Sequence, residues 1–184
     1  MDFGRHGMNN QQKIYKLIAL FLQYPEKEWL ENIHLIEKEI ESLKIPLIND
    51  YFHSFINYLT STPYEQLCER YVKTFDFYGV TTLNLTYNVF KDSRERGNAL
   101  IQLRKIFSNS KYHPITDELP DYVPLILEFL AICEKELADQ LIKIHYKSFV
   151  KLEQDLIEQE SPYRFLIKIV VHLASERLKE IKAS

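Results

Sequence analysis

The sequence predicts an all-α fold, a single-domain helical bundle of about eight helices. Three observations predict it. The 184-residue chain holds four glycines, too few to furnish tight hairpins or phosphate-cradling loops. Long stretches rich in Leu, Ile, Lys and Glu repeat their apolar residues at helical spacing. Prolines fall between these stretches, where they end or begin helices. A hydrophobic fraction of 46% over this length is enough for one buried core.

Taken in order, Ile14, Leu17, Ile18, Phe21 and Leu22 set a first helix from Asn9 to Gln23, stopped by Pro25. Leu30, Ile33, Ile36 and Ile40 stripe a second from Glu26 to Leu43, which Pro46 breaks. Phe52, Phe55, Ile56 and Leu59 face inward on a third, Leu47 to Leu59. Thr62 as cap, Pro63 at the first helical position and Glu65 as capping-box partner open a fourth. It carries Leu67, Tyr71, Val72 and Phe75 to Phe77, with Gly79 as its C-terminal cap. Val80 to Phe90 is rich in β-branched residues, but a lone strand has no backbone partner in a helical protein. It reads as a loop with a helical turn. Asp92 and Ser93 cap a fifth helix, Ser93 to Phe107, with Leu100, Leu103 and Phe107 inward. Gly97 sits inside it at a cost of about 1 kcal/mol against alanine, which suggests close approach by another helix or a ligand. A loop with His113-Pro114 leads to a sixth helix, Asp121 to Glu136. A seventh runs from Ala138 to Glu158 with Leu141, Ile144, Leu152 and Leu156 on one side. Ser161-Pro162 starts an eighth, ending near Ile181. Residues 1–8, up to a second methionine at Met8, read as a disordered leader or expression remnant, and 9–184 as the helical domain.

A net charge of −3 and the absence of a clustered basic helix argue against nucleic acid. The six histidines form no His-x-x-x-His pair and none sits beside a cysteine at metal spacing, so no metal site is expected. There is no phosphate loop and no serine between glycines, so no catalytic residues and no cofactor are assigned. Cys68 and Cys133 lie far apart in apolar helical contexts and read as free thiols of a reducing compartment. No stretch approaches the roughly 20 apolar residues of a membrane span. The informative stretch is Asp117 to Leu130, an acidic, proline-punctuated loop that becomes an apolar run. Asp121 has a structural reason to be there, as the cap of the helix that follows. Asp117 and Glu118 are not needed for capping. They either belong to an ordinary capped lead-in loop or face a cationic partner.

Four segments together carry a resemblance. They are Tyr71, Thr74, Phe75, Asp76 and Phe77; then Leu83, Leu85, Thr86 and Tyr87; then Arg96, Gly97, Ala99 and Leu100; then Glu118-Leu119-Pro120-Asp121-Tyr122, Pro124 and Leu127-Glu128-Phe129-Leu130. In this order they resemble the assembly chaperones of respiratory nitrate reductase, the delta-subunit or NarJ family, within the TorD-like redox-enzyme maturation proteins. The resemblance covers Asn9 to Ile181, with the fourth segment the most specific. The acidic tails of some family members are missing.

The resemblance implies an all-helical, TorD-like cytoplasmic protein that is not an enzyme. It implies binding to the immature catalytic alpha subunit, including its N-terminal segment, assistance to molybdenum cofactor insertion, and delay of docking to the membrane subunit. It implies a monomer or a weak homodimer, because TorD-like relatives exchange helices between subunits. A groove between helices suits an amphipathic target helix. On that reading Asp117, Glu118 and Asp121 form an acidic rim, Tyr122, Leu127, Tyr87 and Tyr71 line the wall, Gly97 permits close approach, and Arg96 belongs to the same client-binding set; Arg94 or Arg96 is also placed to give a charge-assisted hydrogen bond to Asp76 or Asn84 if these are buried. The alternative is a helical interaction or regulatory module with an unrelated client. An enzyme with a carboxylate-lined pocket and a nucleotide-binding protein find less support in the residues.

Overall fold

The computed structural model describes residues 7–77, 81–111 and 116–183. Among them it forms ten α-helices: α1 (Asn10–Phe21), α2 (Lys27–Glu31), α3 (Ile33–Leu43), α4 (Pro46–Ser61), α5 (Tyr64–Phe75), α6 (Leu85–Phe90), α7 (Arg94–Ser108), α8 (Val123–Leu130), α9 (Lys135–Glu158) and α10 (Arg164–Ala183). The fold is all-α, as the glycine-poor, helix-periodic sequence predicts. The Gly79 cap and His113-Pro114 lie outside the described residues.

Local chemistry explains the two helices beyond the expected eight. The second stretch divides at Asn32, where no proline or glycine stands. The Asn32 side-chain amide donates to the Glu28 carbonyl at 2.8 Å, the acceptor its own backbone N–H would use in a continuous helix. That N–H turns instead to the Trp29 carbonyl at 3.2 Å. The β-branched stretch supplies the other helix, α6. Its strand preference survives as one antiparallel bridge, Asn84 with Tyr122. The fourth helix starts one residue later than expected. Pro63 becomes the N-cap, Glu65 falls at the second helical position, and no capping box forms there. A capping box does form at α1, between Asn9 and Gln12.

Few glycines leave helix ends to other residues. Lys44 and Glu160 turn the chain after α3 and α9 with φ of 53° and 52°. That left-handed conformation is uncommon for residues with a Cβ.

Packed helix pairs frame the core: α9 lies along α10, α10 against α4, and α1 against α8. Ile144, expected inward on α9, is exposed, while His145 takes the inward position beside it. Most of the many aromatic rings are core. Tyr163, 1% exposed, stands edge-on or tilted to Phe55, Tyr71 and Phe75, with ring centroids 5.2, 5.9 and 4.9 Å away. Phe21 extends the cluster to Trp29, Phe52 and Phe55. No helix among the described residues is long and apolar enough to cross a membrane.

Tyr163, at the start of α10, joins it to α4 and α5 through ring contacts. Tyr163→Ala is expected to remove about 3–5 kcal/mol of unfolding free energy in a urea titration. A loss under about 1 kcal/mol would mean the site collapses around the smaller side chain.

Candidate functional site

Asp121 stands at the centre of the four segments that carry the resemblance, and its side chain has no exposed surface. One carboxylate oxygen accepts from the Asn84 amide at 3.2 Å. The other accepts from the Thr86 backbone N–H at 3.1 Å and from the Thr86 hydroxyl. Arg96 reaches the same oxygen at 4.0 Å and donates from Nε to the Thr86 hydroxyl at 3.3 Å. Backbone bonds tie the same segments: Leu85 N–H to the Asp121 carbonyl at 3.0 Å, and Val123 N–H to the Leu83 carbonyl at 2.8 Å. A buried carboxylate requires such saturation, because removing it from water is costly.

This geometry corrects the roles expected of Asp121. It is neither on a rim nor the cap of the helix that follows it. Helix α8 begins at Val123 with Tyr122 as N-cap and no side-chain cap bond. The carboxylate instead caps α6, distant in sequence, by taking the N–H of its second residue.

The other expected residues divide. Asp117 and Glu118 are exposed. They line a depression of about 470 Å³ with Arg104, Phe107, Pro120 and Leu125. A second depression of about 300 Å³ is lined by Gln23, Tyr122, Pro124 and Glu128, and it shares Thr116, Glu118 and Leu125 with the first. The two form one acidic trough. Tyr122 is half-buried at its side, and burial raises its phenol above the ordinary range. A hydrogen bond with Tyr71 opposes that rise, and the charges of Glu118, Asp76 and Glu128 add to it. Partial burial also raises the Glu128 carboxyl, with Lys16 opposing. Tyr71 is buried and donates its hydroxyl to the Leu22 carbonyl at 3.0 Å, so it supports the trough from beneath. Leu127 is wholly inside the core and lines no open wall. Tyr87 is half-buried between two cations, Arg96 at 5.2 Å and Lys91 at 5.1 Å from its ring centroid. Gly97 is exposed, and no other part of the described chain comes within 4 Å of a Cβ placed there.

Sequence reasoning missed Glu128 as a member of the trough and His145 beneath α6. Glu128 was legible as a charge inside an apolar run. His145 was legible four residues after Leu141 and seven before Leu152, on the inward face of α9. It is 3% exposed, and burial lowers its pKa to about 4 despite the opposing charge of Asp121. Among the described residues no group of three or more His, Cys, Asp or Glu is placed to hold a metal ion. Burial pushes the Cys133 thiol up to about 12, with Glu134 adding to the rise.

The sequence model of the nitrate reductase delta subunit family matches residues 45–163, which takes in α4 through α9 with the whole Asp121 cluster and every lining residue of the trough except Gln23. The chain belongs to that family. A relative from Bacillus subtilis, assigned as the nitrate reductase molybdenum cofactor assembly chaperone NarJ, is 30% identical over 88% of each chain. Two Escherichia coli relatives carry the same kind of name. NarW is 28% identical over 90% of this chain and 70% of its own length, and NarJ is 26% identical over 91% and 72%. A crystal structure from Archaeoglobus fulgidus, described as a candidate redox enzyme maturation protein, shares the fold. Its TM-score is 0.63 at 16% identity, over 94% of this chain and 98% of that one.

His145 makes the stability of this family member depend on pH. Its folded pKa lies below the ordinary 6.5, so the unfolded chain binds the proton first. Its contribution is complete above 6.5 and is lost as pH falls from 6.5 toward about 4, at up to about 1.4 kcal/mol per pH unit. Urea unfolding of wild type and His145→Gln, each at about pH 7 and about pH 5, is expected to show a shallower loss in the variant. Equal losses would exclude His145 as the source.

Proposed function

We propose that this protein is a system-specific chaperone for a respiratory nitrate reductase. It binds the immature catalytic alpha subunit, including its N-terminal segment. It holds that subunit competent for molybdenum cofactor insertion and delays its docking to the membrane partner until insertion is done. The protein acts in the cytoplasm as a monomer or weak homodimer, and catalysis is no part of its role. The observation that carries this reading is a family match spanning the Asp121 cluster and the acidic trough together, joined to relatives named as assembly chaperones.

The geometry fits a basic, amphipathic client. Asp117, Glu118 and Glu128 make no ion pair among the described residues. A Lys or Arg side chain entering the trough finds carboxylates on its flanks and the half-buried Tyr122 ring beside them. Such rim charges govern encounter and orientation, while apolar contacts supply residence time. Glu128 takes the place that sequence reasoning gave to Asp121.

Calorimetric titration with a synthetic peptide from the N-terminus of a nitrate reductase alpha subunit, beside a scrambled control, tests the reading. Saturable binding at micromolar or tighter affinity is expected for the native order alone. Glu118→Lys combined with Glu128→Lys is expected to weaken it by about tenfold or more and to flatten its salt dependence. Unchanged binding in the double variant would remove the trough from the site. Equal or absent binding of both peptides would return the protein to a helical interaction module with another client.

A further inference from the structure

Leu127 and Tyr71, expected to line the wall of a groove, are buried. A short helix covers this side of the Asp121 cluster. Helix α6 packs on both α9 and α7 and buries Leu85, Thr86 and Asn88. Its fit is poor. Asn88 Oδ1 and His145 Nε2 are buried without a hydrogen-bond partner, although the Asn88 amide nitrogen does reach the Thr82 carbonyl at 2.9 Å. Its exit is strained, for Lys91 holds φ 51° and ψ −137°, a conformation suited to glycine. Its outer side leaves Val89 and Phe90 50% and 38% exposed. Its start is held by the Asp121 hydrogen bonds and the bridge to Tyr122, directly beside the acidic trough.

We propose that residues 82–91 are a displaceable strap, and that the cleft between α7 and α9 now filled by α6 is the docking groove for the partner's amphipathic helix. This rests on the client reading above. The partner's helix takes the position of α6, with apolar residues toward α9. A helix laid in the same direction brings basic residues of its first turn to Glu118 and Glu128. Release of the strap relieves the Lys91 backbone and frees Asn88 Oδ1 to water. Asp121 is the latch.

Hydrogen exchange on the full chain, combined with the same peptide titration, tests the strap through two opposed variants. Asp121→Asn weakens the latch. Lys91→Gly removes the strain and tightens the strap, at the loss of the side chain that lies over the Tyr87 ring. In wild type, amides of 85–90 are expected to exchange about tenfold or more faster than those in the middle of α9. Asp121→Asn is expected to raise both that exchange and the peptide affinity about fivefold, and Lys91→Gly to lower both. Where Asp121→Asn fails to fold, Lys91→Gly carries the test alone. Exchange of α6 as slow as that of α9 overturns the strap whatever the peptide does. A mobile strap with equal affinity in all variants places the docking site elsewhere and leaves the client reading standing. Absence of binding to every variant overturns that reading, and the docking groove with it.

Discussion

A charge without solvent is the constraint on which this structure depends. The Asp121 carboxylate has given up its hydration, a loss of several kcal/mol for an isolated ion. Its neighbours replace that hydration group by group. Because Asn84 and Thr86 donate, the start of α6 is fixed. Because Arg96 approaches through the Thr86 hydroxyl, the first turn of α7 is aimed inward. Because the backbone on either side of Asp121 pairs with Leu83 and Leu85, the start of α8 is set against the same point. Three helices therefore share one electrostatic reference.

A different physics holds the other side of the molecule. There the contacts are rings, with Tyr163 and Phe21 at their centres. Hydroxyls at the edge of this cluster are spent on backbone: Tyr71 on the Leu22 carbonyl at 3.0 Å, Tyr64 on the Pro25 carbonyl at 3.3 Å. Both come from α5 and both seize the turn after α1. The polar and aromatic regions meet where Tyr71 contacts Tyr122, which is also a wall of the trough. A partner that presses on Tyr122 therefore touches both.

The helices bounded by proline were legible because their apolar period is long, whereas the end of α8 at Leu130, six residues short of the expected Glu136, was not. The break at Asn32 was not, since it arises from a side chain competing for a single carbonyl. The acidic character of the trough was legible at Glu118, which stands in a loop that needs no second charge. The burial of Asp121 was not, because capping explains an aspartate before a helix equally well whether the helix is its own or another. Only the fold brings Thr86 to it across 35 positions of sequence. Glu128 escaped notice for the opposite reason, as one charge in a run that reads as core.

Trp29 is the single tryptophan, buried at 5% exposure with its ring edge-on to Phe21 at 5.8 Å. It belongs to the aromatic side, among α1, α2 and α4. Its emission therefore reports on the loss of that packing, while α6 holds no tryptophan of its own. The protein carries a built-in optical probe for one half of its architecture and is dark in the other. Concordance between tryptophan fluorescence and a whole-molecule signal such as far-ultraviolet dichroism thus becomes a direct gauge of whether the ring-packed and charge-centred regions melt as one cooperative unit.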